Sequence, residues 1–366
     1  ISDSTEIVLT EGTYTFERLS IQGPYTNIMF RGAGKDKTII DFSGQTSGGE
    51  GIRVDNVTNF TIRDMQVKES QGDLIKVKDS ENVSFINVSA IWDGEPDIEN
   101  GGYGIYPVLC KGVLVDSCYV HGASDAGIYV GQTVDAVIRN NVAEFNVAGI
   151  EIENTINAEV YGNETMHNTG GLLVFDLPGL KYDGKNTKVH DNYVHDNNYR
   201  NFAPAANSAS GVGNVPPGTG ILILRTSDVE IFNNRIIDNN TSSIGIFSFA
   251  TVDPQIFENN PDWFPIPTNI YVHDNEISKQ DEFPEAVSEH ELASLLVSIH
   301  ENTKALSGAS TIQHILYDGI VMGEGKNPSN ICIQEADGTT LMKMDLANDL
   351  QGVSFDIDEF SCDEAI

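Results

Sequence analysis

Tyr106, Tyr129, Glu151 and Glu153 are spaced so that several chemistries are open to them, and His121 and Asp125 stand just ahead of Tyr129. Residues i and i+2 of a strand lie about 6.5–7 Å apart on one face, the separation of an inverting acid and base pair across a glycosidic bond. Glu151 and Glu153, or Asp125, would supply that pair. Proton abstraction beside a uronate carboxylate needs instead a cation on that carboxylate and a proton shuttle across the sugar plane. Arg53, Lys76 and Lys78 are the cations for it, and Tyr129, Tyr106, His121 and Glu151 are the candidate catalytic groups. Glu153, Asp125 and Phe175 complete the candidate substrate path. The structural alternative makes the tyrosines a stack and the lysines partners of neighbouring acids.

Asp93, Glu95, Asp97 and Glu99 alternate along DGEPDIEN, residues 93–100. Such oxygens can gather Ca²⁺; a solvated acidic loop is the plain alternative. His190, His195 and His273 each precede an aspartate and read as turn chemistry. No CxxC, HExxH, GxSxG or phosphate loop is present. Four cysteines form two local pairs, Cys110 with Cys118 and Cys332 with Cys362, which predicts two disulfides; buried free thiols are the alternative.

These residues are positioned by a repeat. The glycines of successive Gly-φ-x-φ elements, Gly51, Gly104, Gly127, Gly149, Gly171, Gly220 and Gly245, with Leu74 in the same role, follow a period near 22 with insertions. About eleven residues later comes a second strand, centred on Ile62, Phe85, Val115, Ile138, Val160, Val189, Ile231 and Val272. Asn141, Asn163, Asn192, Asn234 and Asn275 follow these centres, and Asn146, Asn168, Asn197 and Asn239 come five residues on, which predicts stacked amide ladders. Sequons at Asn163 and Asn239 then belong to the ladders. Two registered strands per period exclude helical repeats. The fold class is all-β: a right-handed parallel β-helix, a solenoid of about 22-residue coils, with a C-terminal helix and irregular cap. The β-helix is expected over 1–280, with 281–366 as a capping segment of the same unit and a helix over 284–303 whose apolar face is Val287, Leu292, Leu295, Leu296 and Ile299.

Alternation along the strands sends one column outward as Arg53, Lys76, Tyr106, Tyr129, Glu151, Leu173, Leu222 and Phe247. A second holds Asp55, Lys78, Val108, Gly131, Glu153, Phe175, Leu224 and Phe249. The 49-residue step from Gly171 to Gly220 supplies a loop to cover its apolar end.

The 366 residues carry 21 Lys+Arg against 54 Asp+Glu, a net charge of -33, which repels nucleic acid and anionic lipid. No run reaches the roughly 18 apolar residues of a membrane span. Ile1 opens a β-like segment instead of a leader, so the chain reads as processed and exported, in the periplasm, at the cell surface or outside the cell.

EGTYTF, GAGKDKTIIDFSGQ, GIRVDNVTNFTIRDMQV, GIYPV, SDAGIYVGQ, AGIEIEN, GGLLVFDLPGL, NFAP and PPGTGI together resemble bacterial parallel β-helix repeat-containing proteins through most of residues 5–250. That resemblance implies the fold and export and transfers no catalytic residue. The architecture is more distantly similar to pectate lyases, polygalacturonases, alginate lyases and mannuronan C5-epimerases, but the Asp-Pro-His signature of the epimerases is absent, since Asp253-Pro254 is followed by Gln255. The expectation is a carbohydrate-interacting protein, as a polyuronate lyase or C5-epimerase. The alternatives are a non-catalytic scaffold that binds glycan or protein, and an inverting glycoside hydrolase.

Overall fold

The computed structural model describes residues 1–204, 211–307, 311–322 and 327–362. Parallel strands wind into a solenoid in which each coil contributes to three sheets. The first stacks Asp73–Lys78, Tyr103–Val108, Ala126–Gly131, Ala148–Glu153, Gly170–Phe175, Thr219–Leu224 and Ser242–Phe247. The second stacks Lys111–Asp116, Val134–Arg139, Ile156–Tyr161, Lys185–His190, Ser227–Phe232 and Thr268–His273. The third is built of three-residue strands such as Tyr119–His121, Val142–Glu144 and Glu164–Met166. Inward residues form a continuous core: Ile105, Ile128, Ile150, Leu172, Ile221 and Ile244 follow one another up the first sheet, each fully buried.

Corners between strands hold non-glycine residues in the left-handed region, mostly Asn and Asp, whose short side chains tolerate it. Both predicted amide ladders form. Asn141 Nδ2 donates to Asn163 Oδ1 at 2.9 Å, and the chain continues through Asn192 and Asn234 to Asn275, each step 2.9 Å. Asn146, Asn168, Asn197 and Asn239 repeat the pattern at the next corner. Asn163 and Asn239 are buried, as a ladder role requires. Asn163→Ala leaves the buried donors of Asn141 without an acceptor, at about 1–3 kcal/mol per group. A loss of about 2–4 kcal/mol is expected in urea denaturation.

A third ladder was not foreseen and lies outside. Asn59 bonds Asn27 at 2.8 Å and Asn82 bonds Asn59 at 3.0 Å; Asn157 bonds Asp135 and Asn186 bonds Asn157, both at 3.0 Å; Asn269 bonds Asp228 at 2.7 Å and Asn330 bonds Asn269 at 3.0 Å. Each of these residues has a φ between 51° and 63°.

Cys332 and Cys362 form the predicted disulfide, but Cys110 and Cys118 are free and buried. The reason is geometric. They flank the extended strand Lys111–Asp116, about 20 Å long at 3.3 Å per residue, so their sulfurs lie at opposite corners of one coil and beyond bonding reach. Burial pushes both thiols up to about 12. Native protein should take up no iodoacetamide by intact mass, and unfolded, unreduced protein should take up two.

The C-terminal helix runs Glu291–Ser307, after a 3₁₀ turn over Glu285–Glu289. Leu296 and Ile299 are buried as expected, whereas Leu295 is exposed. The helix does not seal an end: it lies over the outer side of the first sheet, where Leu296 and Ile299 pack in one cluster with Leu316 and Met342. Strands Ile315–Tyr317 and Leu341–Lys343 extend that sheet, and Ile331–Gln334 extends the second.

Candidate functional site

The outward face of the first sheet is where the candidate residues meet. Lys76 pairs in register with Tyr106, and Tyr129 with Glu151, so the expected vertical column exists. Its last third is covered. Segments near Phe202, Val212 and Val215, residues 249–266 and the helix bury Leu173, Phe175, Leu222 and Phe247 in a second apolar core outside the sheet.

At the edge of that cover sits a group of acids and tyrosines. Tyr103, Tyr106 and Tyr129 touch one another with ring centroids 4.4, 4.7 and 4.9 Å apart. Tyr129 donates its hydroxyl to Glu153 Oε1 at 2.5 Å, and Tyr103 donates to Asp125 Oδ2 at 3.2 Å. Gly131 makes room for this, since a Cβ there would lie 2.1 Å from the Tyr129 hydroxyl. Glu151 lies among these carboxyls at 2% exposure, and its Oε2 has no hydrogen-bond partner.

Burial is the first cause of every shift in the group. It drives Glu151 well above the carboxylate range, with the charges of Asp125 and Glu153 adding to it. It lifts Asp125 to about 8, helped by Glu153 and opposed by the Tyr103 hydrogen bond. Glu153 reaches about 7, restrained by the Tyr129 hydroxyl, and Asp73 about 6, restrained by Lys76. Like carboxyls in a dry site cannot all ionise, so the group shares protons near neutrality. Within the buried trio Glu151 is the carboxyl most firmly held protonated, and Glu153 and Asp125, which accept from phenol hydroxyls, give up their protons before it.

Comparison with known proteins agrees with this architecture. The family described as "right handed beta helix region" matches residues 26–179 and 97–283. The chain belongs to the right-handed β-helix family. No curated protein matches it in sequence. Among solved β-helix structures it is similar to the A-module of mannuronan C-5 epimerase AlgE4 of Azotobacter vinelandii, at 17% identity and TM-score 0.48, over 76% of this chain and 81% of that one. It is also similar to a mutant DFA-IIIase of Arthrobacter chlorophenolicus, at 14% identity and TM-score 0.47, over 82% and 63%. PfbA, a surface adhesin of Streptococcus pneumoniae, matches at 13% identity and TM-score 0.45, over 73% and 76%.

Within this β-helix, several predicted residues stand elsewhere or in other company. Tyr129, Glu151, Glu153 and Phe175 point outward but are buried at 4%, 2%, 6% and 1% exposure, because inserted loops lie over them. Phe175 packs in the apolar core of the cover, away from any substrate path. His121 belongs to the third sheet, where Nδ1 meets the Trp92 carbonyl at 2.9 Å and the ring faces Phe145, so it does not join the tyrosines. Arg53 holds Asp55 and Glu50 at 2.6 and 3.0 Å, Lys76 lies 3.5 Å from Asp73 and 4.3 Å above the Tyr106 ring, and Lys78 is 3.4 Å from Asp79. The basic patch is therefore already neutralised. Asp93 pairs with Lys68 at 2.5 Å, while Glu95, Asp97 and Glu99 are exposed, and among the described residues no three His, Cys, Asp or Glu side chains are grouped to hold a metal. The four carboxylates of 93–100 are spread along an exposed loop and do not converge in this structure.

Four contributors were missed. Asp73 and Tyr103 occupy a third outward column with Glu50, three residues before the first, which strict alternation would have placed inward; two successive buried residues, such as Leu74 and Ile75, separate the columns. Asp176 and Arg225 form a buried ion pair at corners the alternation does not reach.

Proposed function

We propose that the chain is an exported carbohydrate-active enzyme that cleaves an uncharged glycan by acid–base catalysis at the Asp125, Glu151 and Glu153 group. The observation that carries this reading is Glu151, a buried carboxyl with an unpartnered oxygen, set beside two carboxyls that are each held by a tyrosine. A carboxylic acid kept protonated near neutrality can donate to a leaving glycosidic oxygen. A neighbouring carboxylate, Glu153 in the same strand, is about 6.5–7 Å away, which leaves room for the attacking water of an inverting reaction.

Part-buried Tyr103 and Tyr106 stand at the approach, with Lys76 over the Tyr106 ring, and present aromatic edges and hydroxyls to a sugar. The paired state of Arg53, Lys76 and Lys78 argues against a uronate, because its carboxylate would have to displace Glu50, Asp55 or Asp73 from their cations. Chemistry at Glu151 also requires the cover near Phe202 to yield on substrate entry. The disulfide supports export, since such bonds persist in oxidising compartments. No helix among the described residues is long and apolar enough to cross a membrane.

The seal over Glu151 favours one competing reading, a non-catalytic scaffold that binds glycan on this face. Incubation with a panel of neutral polysaccharides and with alginate and pectate separates the two. Release of reducing ends with inverted anomers, read by NMR, is expected from a neutral polymer. Unsaturated product from a polyuronate would replace the proposal with a lyase, and silence on every substrate would leave the scaffold.

A further inference from the structure

The second sheet presents a separate surface that the chemistry above does not use. Its outward side forms two joined hollows of about 890 and 350 Å³, which share Asn186 and Lys188 and reach from Ser84 to Tyr271. Six rung steps at about 4.8 Å make this groove about 29 Å long. Leu114 and Val137, both part-exposed, form an apolar patch of its floor on neighbouring coils, and Glu159, Lys188 and Glu230 continue the floor in register beyond them. One wall is the outer Asn/Asp ladder, and the other includes Arg139 and Tyr161.

We propose that this groove binds a linear, uncharged polysaccharide laid along the solenoid axis. The ladder wall keeps hydrogen-bonding capacity in reserve. Asn157 gives one N–H to Asp135 and accepts one from Asn186, both at 3.0 Å. An amide has two donors and two lone pairs, so one of each stays available, and Asn269, which lines the second hollow, is in the same state between Asp228 and Asn330. A donor and an acceptor repeated up the wall match the hydroxyls of a polyol, while the apolar patch takes the C–H face of the sugar.

Charge selects against a polyanion. Lys188 is paired with Glu230 at 3.1 Å and Arg139 with Asp116 at 2.8 Å, so these cations are already spent in a chain of net charge -33, and the His190 ring lies 3.2 Å from Glu159. An extended peptide is the poorer occupant, because strand addition needs an open sheet edge and these strands are paired on both sides. Binding in this groove does not depend on catalysis at Glu151.

Affinity electrophoresis of the whole chain in gels containing hydroxyethyl cellulose, dextran, laminarin or alginate tests it. At least one neutral polymer should retard the protein, and the double variant Leu114→Asp/Val137→Asp should bind that polymer at least tenfold more weakly. Amide hydrogen exchange on the unaltered chain provides a readout without mutation: the polymer should protect residues 134–139 and 156–161. No retardation by any neutral polymer, retardation by alginate alone, undiminished binding by a folded double variant, or protection confined to the first sheet would each overturn the proposal.

Discussion

Glu151→Gln is expected to lower kcat on a cleaved glycan by about 10²–10⁴-fold with little change in KM. The amide keeps the shape of the side chain and removes its proton from the reaction. The same variant should behave differently in stability. Acids whose folded pKa is raised bind more protons folded than unfolded, so their contribution is fully present below about 4, the ordinary carboxyl value, and is lost as pH rises through the folded value. For Asp73, Glu153 and Asp125 that loss runs up to about 6, 7 and 8. Each tenfold difference in acidity between folded and unfolded chain corresponds to about 1.4 kcal/mol, so the unaltered protein should melt at a clearly higher temperature at pH 5.5 than at pH 8.5. Glu151→Gln takes one of the competing carboxyls out of the group and should narrow that gap in scanning calorimetry. An unchanged gap with unchanged kcat would remove Glu151 from the site.

Arg225→Ala should cost about 3–5 kcal/mol, the scale of removing one partner from a buried ion pair. Arg225 joins three segments: its guanidinium bonds Asp176, reaches the Phe264 carbonyl at 2.6 Å and lies 4.8 Å from the Trp263 ring, while Trp263 donates to Asp183 at 3.1 Å. Asp176 is fully buried with Oδ1 unpartnered, and burial already outweighs Arg225 in lifting it to about 7. Without the arginine the carboxyl must protonate or draw in water, and both loosen the loops it ties to the sheet. Limited proteolysis should then cut within 177–184 or 252–264 before the coils unfold in urea. Arg225→Lys should rescue little, because a point charge cannot serve the carboxylate, carbonyl and ring together. Arg225→Met with Asp176→Leu should recover much of the loss. Intact loops in Arg225→Ala would show that apolar packing alone holds the cover.

The repeat made most of the architecture legible. Parallel stacking forces equal coils into register, so Asn141, Asn163 and Asn192 could be read as neighbours, and alternation placed Tyr106, Tyr129 and Glu151 in one outward line. What lies above that line was not legible, because Phe202, Val212 and Val215 belong to insertions without periodicity. Burial turned an expected open surface into a proton-sharing pocket. Registration also slipped once: Gly245 pairs with Leu222, so it stands in the outward column and Ser243 takes the landmark position. The Gly-φ-x-φ rule had found the glycine and missed the rung. The pairing of Arg53 and Lys76 escaped for a similar reason, since Glu50 and Asp73 sit in an outward position that was not counted.

From Asp116 onward, among the described residues, the corner between the second and third sheets takes no insertion: two residues turn the chain from Asp116 to Tyr119, from Arg139 to Val142, from Tyr161 to Glu164 and from His190 to Tyr193, whereas 32–37 widen it in an early coil. Every long excursion, including 92–102, 176–184, 196–218 and 248–267, leaves or enters beside the first sheet. The molecule is thus divided into an invariant spine, locked by its amide rungs, and one replaceable side on which loops can be lengthened, exchanged or lost without disturbing the winding. Grafting a foreign loop between Leu177 and Asp183, which keeps Asp176 on Arg225, should alter what the protein recognises while the spine folds as before.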